Sequence, residues 1–233
     1  MSGGVLAVFA HPDDESIFAG GTLAACAAAG LEVGVLSLTR GELSGAGRER
    51  ELQAAAEELG IAWAECLDQP DGELADTERA AGAVADRMRE AQAATVVSFG
   101  EEGLYWHPDH IATNAIVAEA VSALDRSVRF YRVVWPLGLA RGLVDAMEER
   151  ALAADLWGLD PDGFGVEPDA IELRLDVGRF LDAKLRAIGR HRSQIGLGHV
   201  LHELPADLAR RYLGHEYFNG GDPDWLQQVV AGA

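Results

Sequence analysis

Short apolar runs and helix-patterned segments alternate through the first 135 residues. The runs are GVLAVFA (4–10), LEVGVLSLT (31–39), IAWAECL (61–67), ATVVSFG (94–100) and VRFYRVVW (128–135). Between them lie SIFAGGTLAACAAAG (16–30), RERELQAAAEELG (48–60), DTERAAGAVADRMREAQ (76–92) and PDHIATNAIVAEAVSAL (108–124). Gly30 and Gly60 read as helix stops. Near-continuous apolar strands separated by helices cannot lie on a half-solvated sheet. They predict an α/β fold with a mostly parallel β-sheet and helices on both faces. Right-handed crossovers join its strands. A chain of 233 residues suits a single domain over 1–233. Beyond residue 135 the pattern predicts a helix over 139–159, a strand over 170–177 and an amphipathic helix over 178–194. Polar or glycine-rich stretches near 41–47, 68–74 and 196–203 read as rim loops.

The first apolar run ends in HPDDE, His11 to Glu15. Ionisable groups stacked at the mouth of a buried strand need water, a counter-charge or a metal to compensate them. A dinucleotide turn would need glycines and free N–H groups there. Here the turn is acidic and repels phosphate. A metal accounts for it better, because imidazole and carboxylate are the ligand types of Zn²⁺ and similar ions. His11 and Asp14 can serve one ion from one turn. A third ligand would come from HPDH (107–110), which follows the fourth run. In open α/β sheets ligands bind beyond the carboxyl ends of strands, so the two motifs meet if these strands are neighbours. Three protein ligands leave a position for water, as in catalytic sites. A nearby carboxylate could take the water's proton and a histidine could stabilise an oxyanion. Asp13, His107 and Asp109 suit those roles, and the pattern fits metal-assisted hydrolysis of an amide or ester.

Lys plus Arg total 19 against 38 Asp plus Glu, a net charge of −19. Such a chain repels nucleic acid and anionic membrane surfaces. No apolar run is long enough to span a bilayer. Cys26 and Cys66 lack metal or redox spacing and read as small core residues. With no signal-peptide pattern, the cytoplasm is the expected compartment.

AHPDDE (10–15) together with HPDH (107–110) resembles the LmbE-like, or PIG-L-like, family of zinc-dependent N-deacetylases. TRGE (39–42), RERELQAAAEELG (48–60), PDG (70–72) and KLRAIGRHRSQ (184–194) look like further family blocks in order. The resemblance implies a Rossmann-like fold and hydrolytic release of acetate from an N-acetylglucosamine-type conjugate, a small-molecule substrate. It implies His11, Asp14 and His110 as ligands of Zn²⁺, a set that Fe²⁺ also accepts. Asp13 becomes the general base. His107 becomes the oxyanion stabiliser and a candidate proton donor to the leaving amine, oriented by Asp109. Arg48 and Asp71 become substrate-binding residues. Residues 1–135 form the core and 136–233 shape the substrate pocket. Relatives often assemble, which leaves a homo-oligomer open.

Plainer readings stand beside these. The Asp-Asp-Glu-Ser run could simply cap the first helix. HPDH is also a helix start with Pro108 in the first position, and both readings can hold at once. RERE could be a solvated, salt-bridged face, and PDG only a turn. Tyr105 and Trp106 either line a sugar site or pack. His191 reads as a core histidine with a site role as its rival. His199, His202 and His215 read as rim or surface residues, with His199 the nearest to a site. The functional rivals are a metal-dependent amidase on a non-sugar amide, such as a thiol S-conjugate, and a non-catalytic Rossmann-like binding module.

Overall fold

The computed structural model describes residues 3–74 and 77–233, apart from the side chain of Thr77. The five expected strands form: β1 (Gly4–Phe9), β2 (Val33–Thr39), β3 (Trp63–Gln69), β4 (Ala93–Phe99) and β5 (Arg129–Val134). They lie in the order β3-β2-β1-β4-β5, all parallel. Every residue of β1 is buried, which is why that run carries no alternation. Helices α1 (Asp14–Ala28), α2 (Arg48–Leu59) and α3 (Thr77–Glu90) follow the first three strands. A single distorted turn, α4 (Gly103–Trp106), and then α5 (Pro108–Ser122) follow β4. The expected start of α3 at residue 76 lies outside the described residues.

The second half is α6 (Leu139–Glu148), β6 (Leu173–Asp176), α7 (Leu181–Ile188), α8 (Ala206–Leu213), β7 (His215–Gly220) and α9 (Pro223–Gly232). Strand β7 pairs antiparallel with both β5 and β6 and completes a seven-stranded sheet among the described residues. Helices α1, α2 and α7 pack together, as α3 and α5 do.

Two expected helices are shorter than their apolar periodicity suggested. The one over 139–159 ends at Glu148, because Ala151 and Trp157 adopt positive φ and Gly158 follows. Leu156 is buried from an irregular segment, so its spacing records packing and not a helix. The helix over 178–194 ends at Ile188, after a 3-10 turn at Gly178–Phe180. The chain then bends, which buries His191 and Ile195.

Strand β7 has no counterpart among the expected elements, because Glu216 disguises it. That side chain is buried and ion-paired to the equally buried Lys184 of α7, Nζ to Oε1 2.7 Å. Glu216 also accepts N–H bonds from Gly21 and Thr22 inside α1, both at 2.8 Å. A Cβ on Gly21 would lie 2.6 Å from that of Val177, so only glycine permits this approach. No helix among the described residues is long and apolar enough to cross a membrane. Cys26 and Cys66 are free and buried, in line with their spacing.

Candidate active site

Strands β1 and β4 are direct neighbours, so HPDDE and HPDH meet beyond their carboxyl ends. The β2–α2 and β3–α3 loops complete the rim. A cavity of about 310 Å³ opens there, at the small end of ligand pockets. His11, Asp13, Asp14, Arg48, Asp71 and His107 all line it.

His110 is fully buried, with its ring stacked on Phe99 at 3.9 Å. Its Nδ1 lies 3.2 Å from Gly103 O. That bond places the ring proton on Nδ1 and leaves Nε2 as a bare lone pair. Among the described residues Nε2 has no hydrogen-bond partner, and it lies 3.5 Å from Asp14 Oδ1. Asp14 Oδ2 in turn lies 3.5 Å from His11 Nδ1 and accepts the His11 N–H at 2.8 Å. Donor atoms of His11, Asp14 and His110 all fall within 4.8 Å of one another. Tetrahedral Zn²⁺ with bonds near 2.0–2.2 Å separates its donors by about 3.4 Å. The trio therefore fits such an ion, and the orphaned Nε2 would gain a partner. A second cluster, His11, His107 and Asp109, also meets this spacing.

The far nitrogen of His11 favours the first set. Its Nε2 sits 3.1 Å from Asp71 Oδ1 and 3.2 Å from Asp109 Oδ2. Outer carboxylates holding the second ring nitrogen are the usual support of a metal-binding histidine. Both aspartates are anchored themselves. Asp71 accepts from Leu43 N–H, and Asp109 from the Gly72 and Leu74 N–H groups.

Asp71 and Asp109 thus both turn a carboxylate oxygen to the far nitrogen of His11. Asp71 lines the cavity, as a substrate contact would, but its oxygens are turned to His11 and Leu43. The Asp109 N–H donates to His107 Nδ1 at 3.2 Å. That contact also caps α5, as the helix-start reading of HPDH expects. In a neutral ring it leaves the proton on His107 Nε2.

Asp13 sits at the N-cap of α1 but makes no capping bond. Its φ of 140° is rare for a non-glycine residue. Its carboxylate instead meets Arg48, Nη2 to Oδ2 3.0 Å. Arg48 is buried, donates to Pro12 O at 2.6 Å, and is no part of a solvated helix face. A Cβ on Gly41, at φ 65°, would lie 2.3 Å from Arg48 Nη1, so glycine lets the guanidinium pass. Tyr105 lines the cavity, whereas Trp106 is 68% exposed outside it.

The electrostatics follow from this crowding. Burial pushes Asp13 up to about 7 against the pull of Arg48. Burial would also raise Asp14, but His110 and His11 outweigh it and hold it at about 2. Burial drives His110 down to about 3, so the ring is neutral, the ligand form. For His11, burial is outweighed by Asp109, Asp14 and Asp71, which raise it.

The C-terminal half contributes Trp157, Leu159 and Gln194 to the pocket wall, residues no motif singled out individually. His199 packs behind Trp157, ring to ring 4.3 Å, and does not line the cavity. Its Nδ1 accepts from Leu201 N–H, and its buried Nε2 has no partner among the described residues. Burial pushes its pKa down to about 4, below the ~6.5 of an unfolded imidazole. The unfolded chain therefore takes up this proton first. The stabilisation from a neutral His199 is complete above pH ~6.5 and is lost as pH falls towards 4, on the order of 2–3 kcal/mol. Urea titrations across that window should show the fall, and His199→Asn should flatten it. An unchanged slope in the variant would assign the acid sensitivity elsewhere.

Fold and site together define an α/β, Rossmann-like protein with a metal-competent His/Asp pocket at the β1/β4 switch of its sheet. Residues 6–121 match the family model described as PIG-L: GlcNAc-PI de-N-acetylase. The chain is 30% identical over 263 residues to the 1D-myo-inositol 2-acetamido-2-deoxy-alpha-D-glucopyranoside deacetylase of Rhodococcus opacus (strain B4), covering 92% of this chain and 90% of that one. It belongs to the PIG-L family. Among solved structures, the conserved protein TT1542 from Thermus thermophilus superposes with a TM-score of 0.67 at 27% identity, over 94% of both chains. The 4-carboxy-2-hydroxymuconate hydratase of Pseudomonas putida KT2440 shares the fold, with a TM-score of 0.64 at 21% identity over 96% and 97% of the two chains. The fold alone therefore does not choose the reaction.

Proposed function

We propose that this protein is a metal-dependent N-deacetylase that releases acetate from an N-acetylglucosamine-type conjugate. The observation that carries this reading is the bare, buried Nε2 of His110, 3.5 Å from Asp14 beside His11. His11, Asp14 and His110 would hold Zn²⁺, and the same donors accept Fe²⁺. Such an ion would polarise the acetyl carbonyl and acidify the attacking water.

The chain's own groups do the rest. Asp13, held by Arg48, takes a proton from the water as it attacks and returns it to the departing nitrogen. The C–N bond breaks, leaving acetate and a free amine. His107 donates from Nε2 to the oxyanion, since Asp109 N–H occupies Nδ1. Asp71 and Asp109 fix the His11 ring. Arg48 acts through Asp13. We read the chain as one domain, in which Trp157, Leu159 and Gln194 from residues 136–233 select the rest of the substrate. These three lie outside the span matched by the family model. The unpaired Cys26 and Cys66 suit the cytoplasm. A phosphate-binding module is disfavoured, because an anion at the N-terminus of α1 would meet Asp13, Asp14 and Glu15.

The test is acetate release from N-acetylglucosamine, N,N′-diacetylchitobiose and the inositol conjugate of the Rhodococcus relative. Chelated protein is compared with protein reloaded with Zn²⁺ or Fe²⁺. Turnover should appear only on reloading, and His110→Ala should bind no metal. Metal-dependent cleavage of a non-sugar amide with no sugar cleaved would favour the amidase alternative. Full activity after chelation would overturn the reading.

A further inference from the structure

Of the block RHRSQ (190–194) only Gln194 lines the pocket, yet the rest of it crosses the supports of Asp13. His191 is fully buried, and its Nε2 lies 2.9 Å from Glu15 Oε1. Ser16 Oγ donates to the same oxygen at 2.5 Å. The other oxygen, Glu15 Oε2, accepts the Asp13 N–H at 3.0 Å. Two residues on, Ser193 donates from N and Oγ to Glu51, at 2.9 and 2.6 Å. Glu51 sits one turn after Arg48 on α2, and Arg48 pairs with the Asp13 carboxylate. One short segment thus braces Asp13 from both sides, its peptide through Glu15 and its carboxylate through α2.

We infer that His191 is a positioning residue that, through Glu15, holds the Asp13 peptide at positive φ and so keeps its carboxylate aimed into the pocket. An aspartate at an N-cap ordinarily adopts an extended conformation and turns its carboxylate onto the helix N–H groups. Here φ is 140° and no such bond forms. A conformation this sparsely populated persists only when its surroundings impose it. The Asp13 N–H bond to Glu15 imposes it, and Glu15 can make that bond only while its other oxygen is held. His191 and Ser16 hold it, and His191 is the one that comes from outside the turn. Remove the imidazole, and that buried Glu15 oxygen keeps only the hydroxyl of Ser16, which belongs to the turn itself. Asp13 then relaxes towards ordinary capping. The trio of His11, Asp14 and His110 is held by other groups: Asp71, Asp109, Gly103 O and the Phe99 ring.

The inference rests on Asp13 as the base, and its test separates the two. Zinc-loaded wild type, His191→Leu, His191→Gln and Asp13→Asn are compared on the inositol conjugate. His191→Leu should lower kcat about 10–100-fold, the scale of a misplaced reacting group, with KM and zinc stoichiometry near wild type. His191→Gln, whose amide N–H can reach the same Glu15 oxygen, should recover most of kcat. A crystal structure of His191→Leu should show Asp13 at negative φ, bonded to the helix N-terminus. That last result is independent of turnover, so it decides the positioning even if no sugar is cleaved and the deacetylase reading falls. Wild-type kcat in His191→Leu, equal loss in Leu and Gln variants, or an unchanged Asp13 φ would each overturn the inference.

Discussion

Asp13→Asn should lower kcat for acetate release by about 10²–10⁴-fold while zinc stays bound. Asparagine is isosteric. It keeps an oxygen for Arg48 Nη2, now 3.0 Å from Oδ2, and a backbone N–H for Glu15. It cannot accept the proton of the attacking water. The donors expected to hold the ion are untouched, because Asp13 belongs to neither cluster with metal-ligand spacing. Turnover and metal content should therefore part company in this variant. Parallel acetate assays and metal analysis of the same sample check it. Wild-type turnover would remove Asp13 from the mechanism, and joint loss of metal and activity would make it a ligand.

The second large effect is on stability. Lys184→Met should cost about 3–5 kcal/mol, because it strands a carboxylate where water does not reach. Glu216 would keep the Gly21 and Thr22 N–H groups but lose its counter-charge. For a chain of this size, about 2–4 °C of melting temperature goes with each kcal/mol, so the midpoint should drop roughly 10 °C. Adding Glu216→Gln to Lys184→Met should restore part of the loss, since the amide oxygen still accepts and no charge remains buried. Urea unfolding of the two single variants and the double variant gives the coupling directly. A cost below about 1 kcal/mol for Lys184→Met would mean that the pair does not anchor β7 to α1 and α7.

Much of the site was legible because its residues are clustered in the chain. His11, Asp13 and Asp14 come from one turn, and His107, Asp109 and His110 from another. The alternation of strands and helices also predicted that both turns lie at strand ends. The pairing of β1 with β4 then joined them. Other contacts were not legible, because they join residues far apart in sequence. Asp71 reads as a substrate contact or a turn residue, and nothing in the sequence shows that its carboxylate reaches His11. His191 stands 176 positions from Glu15. Lys184 reads only as part of an amphipathic helix, with no sign of its buried partner, and Glu216 hid a strand.

The sequence by itself determined the class of fold, the two motif turns and the donor types they offer. Hydrophobic periodicity and ligand chemistry are local properties that survive without coordinates. The tertiary structure decided which oxygen faces which nitrogen: Asp109 turned to His11, Arg48 committed to Asp13, Trp157 and Leu159 brought to the pocket wall. It also decided which charges are buried. A charged side chain in a sequence carries no mark of its surroundings. Only packing of the whole chain sets whether water, a partner or neither compensates it.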